Sequence, residues 1–99
     1  MKIEVKNIKF LSHATKRAAQ RGISTDMIKT TINQGEIIYR QGLRYFICLE
    51  RHLRGVISPA LFEKYRNTVV ILNPRNELVT CYRSESAISN IKRKIKRLY

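Results

Sequence analysis

His13, Arg17 and Arg21 are the residues of this chain whose types and spacing could do chemistry. They stand at i, i+4 and i+8, and at 100° per residue such positions drift only about 80° around a helix, so they share one side of it. An imidazole can take up or release a proton near neutral pH, whereas a guanidinium stays charged. One proton-transfer group beside two fixed cations suits chemistry on a phosphate. An ordinary solvated basic face has the same look, and both readings stand at this point. A second group lies towards the other end of the chain, where Thr80, Tyr82 and Arg83 offer a hydroxyl, a phenol and a guanidinium on one strand-like run. If the first helix crosses that end of a sheet, the two groups converge. Threonine and tyrosine are also good strand formers, so covering the sheet would by itself account for Tyr82.

The elements that must position these groups can be read from caps and periods. Ser12 can cap a helix over Leu11–Arg21, and Gly22 can end it in a left-handed position. Leu11, Ala14 and Ala18 fall opposite the basic row, and the alanines let the helix approach a sheet closely. Ser24 caps a second helix reaching about Asn33, with Met27, Ile28, Thr31 and Ile32 as its core stripe. From Glu36 the period becomes alternating: Ile37–Arg40 and Leu43–Arg51 flank Gln41-Gly42, a two-residue hairpin turn. The second of these strands puts Leu43, Tyr45, Ile47 and Leu49 on one face and Arg44, Phe46, Cys48 and Glu50 on the other. His52–Asn67 is hard to read beyond Ser58-Pro59, an N-cap and N1 pair predicting a short helix over Pro59–Tyr65. Thr68–Leu72 is a β-branched strand, Asn73–Asn76 a proline-containing turn, and Glu77–Arg83 the partner strand. On that last strand Val79 and Cys81 point one way, Thr80 and Tyr82 the other. Lys2–Lys6 alternates like a short edge strand. Ser84 caps a closing helix over Glu85–Leu98 whose apolar stripe is Ile88, Ile91, Ile95 and Leu98.

Composition narrows the partners. Ninety-nine residues make one domain, 1–99, and twenty Lys and Arg against seven Asp and Glu leave a formal charge of +13. Such an excess repels itself in the compact state, so it serves a polyanionic partner, nucleic acid first. The closing helix concentrates cations at Lys92, Arg93, Lys94, Lys96 and Arg97, more than its dipole requires. Lys92, Arg93 and Lys96, with Arg83, are the candidate phosphate contacts. No apolar run exceeds the five residues Tyr45–Leu49, so no membrane span is expected. Met1-Lys2-Ile3-Glu4 lacks the apolar core of a signal peptide, which makes a cytoplasmic location the expectation. Cys48 and Cys81 sit in apolar strand-like runs and read as buried reduced thiols. With His13 and His52 they show no zinc-ligand spacing, and the acids are scattered singly. Neither a metal nor another cofactor is expected.

The assembled pattern is His13-Ala14-x-x-Arg17-x-x-x-Arg21-Gly22-Ile23-Ser24, then Gly35-Glu36-Ile37-Ile38, then Val79-Thr80-x-Tyr82-Arg83. It resembles a bacterial domain-of-unknown-function family, the one numbered 4258, over roughly Phe10–Arg83. Members of that family look like relatives of the barnase–EndoU–colicin–RelE group of small RNase toxins, and His52–Asn67 resembles an insertion in their shorter pattern. The resemblance implies an α+β fold, with two N-terminal helices and a C-terminal helix on a curved antiparallel sheet of about four strands. It further implies that His13, Arg17, Arg21, Thr80, Tyr82 and Arg83 line a cleft. The expected activity is metal-independent RNA cleavage, with His13 as general acid or base and Arg17 and Arg21 on the phosphate. Tyr82 or Thr80 would position the phosphate or protonate the leaving oxygen. A non-catalytic basic module that docks on RNA, DNA or a ribosome is the alternative. A toxin covered by an acidic antitoxin or immunity protein is a third reading that overlaps the first.

Overall fold

The computed structural model describes residues 8–85. The alternating Lys2–Lys6 stretch lies outside these residues, as does the closing helix beyond Glu85 with Lys92, Arg93 and Lys96. The chain runs α1 (Ser12–Gln20), α2 (Thr25–Gln34), β1 (Glu36–Arg40), β2 (Leu43–Cys48), α3 (Glu50–Leu53), a 3₁₀ turn (Pro59–Leu61), α4 (Phe62–Tyr65), β3 (Thr68–Leu72) and β4 (Leu78–Arg83). The strands form one antiparallel sheet in the order β1-β2-β3-β4, an α+β arrangement of the expected class.

Turn chemistry sets this order. Gln41 and Gly42 both have positive φ, 51° and 78°, the type I′ geometry whose twist matches the strands it joins. Between β3 and β4, the Asn73 side-chain oxygen accepts from the N–H groups of Arg75 at 2.9 Å and Glu77 at 3.0 Å. This closes the turn locally. The chain crosses from β2 to β3 through short helices. Ser58 accepts from Ala60 N at 3.4 Å ahead of Pro59, and Tyr65 donates to the Asp26 carboxylate, tying α4 to the start of α2.

Both faces of the sheet are apolar. On the first, Ile37, Phe46, Val70 and Cys81 lie opposite one another across the four strands and meet Ala14, Ala18, Met27 and Ile28. There α1 packs along β4 and α2 across β2 and β3. On the second, Tyr45, Ile47, Val69 and Ile71 form a separate buried cluster flanked by Ile38, Leu43, Leu49 and Tyr82. The expected stripe Met27, Ile28, Thr31 and Ile32 is buried, and Ser24 caps α2 by accepting from Met27 N at 3.2 Å.

Three expectations are corrected. Ser12 is the first residue of α1 and not its cap: Leu11 holds that place with no side-chain bond. The helix start is fixed from outside, because Lys9 is bonded to β4 and Leu11 packs against the core. The second strand stops at Cys48, not Arg51, so Glu50 opens α3 and does not extend a strand face. The chain turns there because the Leu49 N–H is taken by the His52 imidazole at 2.9 Å. On β4 the plain alternation fails at Val79. Ile71 pairs with Thr80 but Leu72 pairs with Leu78, so Val79 is an extra, bulged residue. The bulge turns Leu78 into the helix-side core and leaves Val79 exposed.

Gly35 joins α2 to β1 with ordinary φ, so conformational freedom is not its purpose. A Cβ there would lie 2.6 Å from the Thr31 carbonyl oxygen and 2.7 Å from that of Ile47. Both obstacles are backbone, so neither can swing aside. Gly35→Ala is expected to lower unfolding stability by about 1–3 kcal/mol, the usual range for overpacking. Urea denaturation checks this, and an unchanged midpoint would mean that the end of α2 can slide off β2.

Candidate functional site

The basic row is built on α1. Ala14 and Ala18 are buried on the sheet side while His13, Arg17 and Arg21 are exposed on the other. The end of the helix is locked by a Schellman motif: Ile23 N bonds Ala18 O at 2.9 Å and Gly22 N bonds Ala19 O at 3.0 Å. Gly22 takes the left-handed conformation, φ 74°, and Ile23 is buried behind it. Arg21 is therefore presented from a rigid helix end, directly beside β4.

Its guanidinium crosses the sheet edge. Arg21 Nη1 donates to the Cys81 carbonyl oxygen at 2.8 Å and to Thr80 Oγ1 at 3.3 Å. Helix and strand groups separated by about sixty residues thus meet in one contact. Nη2 and Nε of Arg21 make no hydrogen bond among the described residues, and neither do the side chains of His13 and Arg17. Among the described residues, nothing accepts from these donors.

Thr80 and Tyr82 share the second face of the sheet, where Tyr82 packs beside the Tyr45 and Val69 cluster. Burial raises the Tyr82 phenol above its ordinary range, and Tyr45 adds to this, so it keeps its proton and can act as a donor. The structure brings Arg21 to Thr80. It does not join His13 to Tyr82: α1 lies against the first face, and no hydrogen bond links His13 to either β4 side chain among the described residues. Arg83 is committed elsewhere, with Nη2 donating to the carbonyls of Glu63 at 2.5 Å and Arg66 at 3.2 Å. It walls a polar hollow of about 220 Å³ with Arg66, Asn67 and Ser84, in which Arg66 also pairs with Glu63 at 2.7 Å.

The thiols behave as packing groups. Cys48 and Cys81 are free and buried; burial pushes Cys48 up to about 11 against a smaller opposing pull from Thr31, and it raises Cys81 against the nearby charge of Arg21. Among the described residues no cluster of three His, Cys, Asp or Glu side chains could hold a metal ion. No helix among them is long and apolar enough to cross a membrane. Two residues escape a sequence reading. His52 carries no motif signal, yet it caps the end of β2. Tyr39 alternates with core positions but stands 69% exposed.

A basic helix lying along the edge strand of a four-stranded antiparallel meander, anchored to it by one arginine, defines the class of this protein. The chain belongs to the family described as "Domain of unknown function (DUF4258)", which matches residues 10–83. Neither a curated protein nor a solved structure matches it.

His52 gives the turn after β2 a pH dependence. Its Nδ1 accepts the Leu49 N–H, which requires the neutral ring, and its pKa is lowered from 6.5 by burial first and by Arg51 second, against a smaller pull from Glu36. In the unfolded chain the ring binds a proton more readily than in the folded one. Stability from the neutral ring is therefore complete above about 6.5 and is lost as pH falls below that value towards the folded pKa. Urea midpoints of the native chain should drop between pH 7 and pH 5 more steeply than those of His52→Gln. Parallel curves for the two would remove His52 as the titrating group.

Proposed function

We propose that this protein is an endoribonuclease that cuts RNA without a metal ion, as the small RNase toxins that its residue pattern resembles are expected to do. The observation that carries the reading is the anchoring of Arg21 on Thr80 and the Cys81 carbonyl. It ties the helix that carries the exposed imidazole and guanidinium row to a strand that bears a hydroxyl and, two residues on but on the far face, a protonated phenol. In this mechanism His13 takes the proton of a ribose 2′-OH, and the 2′-oxygen forms a bond to the adjacent phosphorus. The bond from phosphorus to the 5′-oxygen breaks, leaving a cyclic phosphate, and that oxygen receives a proton from Tyr82 or Thr80. Arg17 and the free nitrogens of Arg21 offset the charge growing on the phosphate. Lys92, Arg93 and Lys96 add affinity that weakens with salt and reads no sequence. An acidic antitoxin or immunity protein is the protein partner that a cationic enzyme of this kind would take.

One observation favours a second reading, a basic RNA-, DNA- or ribosome-binding module with no turnover. Tyr82 faces away from the layer that holds His13, and a charge of +13 binds phosphates without either group.

One experiment separates them. Purified protein is incubated with single-stranded RNA in EDTA, and His13→Ala is compared with the native chain. The ribonuclease reading expects cleavage that falls about 10²–10⁴-fold on substitution, the usual worth of a proton-transfer group. An unchanged rate removes His13 from the mechanism. Binding without cleavage, abolished by charge reversal at Lys92, Arg93 and Lys96, identifies the binding module.

A further inference from the structure

We propose that Tyr39 is a stacking platform for an unpaired RNA base, extending the His13 site across one end of the sheet; this rests on the RNA reading above. Tyr39 is the most exposed large apolar side chain among the described residues, at 69%. It projects on the helix-side face, which it shares with Ile37, but α1 packs along β4 and α2 across β2 and β3, and Tyr39 stays exposed on β1. Nothing in the core requires an aromatic ring there.

Its neighbours are cationic and held in place. Tyr39 pairs directly across from Arg44, whose Nη2 donates to the Asn73 carbonyl at 2.8 Å and to Asn76 Oδ1. Lys9 N bonds to the Asn76 carbonyl at 2.8 Å, and Leu78 N bonds back to Lys9 O at 2.9 Å. Tyr39, Arg44, the Asn73–Asn76 turn and Lys9 therefore occupy one end of the sheet, and α1 begins three residues after Lys9. His13 sits in the first turn of that helix. Among the described residues Lys9, Arg44 and Arg75 stand at this end with one acid, Glu77, whose carboxylate accepts from Asn73 Nδ2 at 2.8 Å. Three strand spacings of about 4.8 Å separate β1 from β4. A strand of a few nucleotides spans that width, its phosphates over the cations and a base on the ring. Duplex RNA keeps its bases stacked on one another and has none to offer.

The test is fluorescence anisotropy with a labelled oligouridylate and a labelled RNA duplex, on the full chain carrying His13→Ala so that no cleavage intervenes. Tyr39→Ala is expected to weaken oligouridylate binding about 5- to 100-fold, the worth of one stacked base, and Tyr39→Phe to keep it. Duplex binding is expected to stay unchanged. The slope of log affinity against log salt is also expected to stay unchanged, because losing a stacked ring releases no counterions. Equal affinity for Tyr39→Ala, or an equal loss on duplex, overturns the platform. That result leaves the ribonuclease reading intact if His13-dependent cleavage persists. Tyr39-dependent binding in a chain that never cleaves RNA supports the platform and overturns the ribonuclease.

Discussion

β3 is buried along its whole length. All five residues from Thr68 to Leu72 are buried, Val70 and Leu72 among the helices and Val69 and Ile71 in the cluster on the other face. A strand apolar on both sides cannot slip by one residue without exchanging two buried layers, so its register with β2 and β4 is specified twice. Backbone groups in such a strand have no water to turn to and must be met by neighbours on both edges. β2 and β4 supply them, so the order that the turns set also satisfies this strand on both edges. β4 then lies at an edge, free to be gripped by something other than a strand.

α1 provides that grip. Its alanines allow close approach, its Schellman end places Arg21 at the strand's rim, and the guanidinium closes over a carbonyl that the ladder leaves open. One nitrogen thereby serves the fold while the others keep a full charge facing outward. The same economy does not apply to Arg83, whose donors are spent on the carbonyls of α4 and the residue after it. Two arginines of like charge thus take different parts. One lends a cation to an open surface, and the other pins the connection into β3.

Much of this was legible in the residues. Gly22, Ser24, Gln41-Gly42 and Asn73 announce their turns by chemistry that acts over two to four residues, and each does locally what its type predicts. Ser12 misled because the start of α1 is decided by Lys9 pairing with a strand more than sixty residues away, which no local cap reveals. Val79 misled for a related reason: a bulge preserves the apolar alphabet of a strand while shifting its phase, so alternation alone assigns the wrong residue to the core. The placement of Tyr82 on the face away from α1 follows from strand parity, but which face the helices choose depends on how α2 crosses the sheet. The exposure of Tyr39 is invisible to periodicity because the pattern marks it as inward, and only the path of the helices leaves it bare.

The doubly buried strand has a cost before folding is complete. Thr68-Val69-Val70-Ile71-Leu72 has high β-propensity and no charge, the kind of segment that seeds intermolecular cross-β pairing while exposed. Its guard cannot be a gatekeeper inside the strand, since both faces must stay apolar. The surplus of thirteen positive charges on the same chain fills that role by holding nascent copies apart. The cationic composition therefore serves as colloidal protection during synthesis.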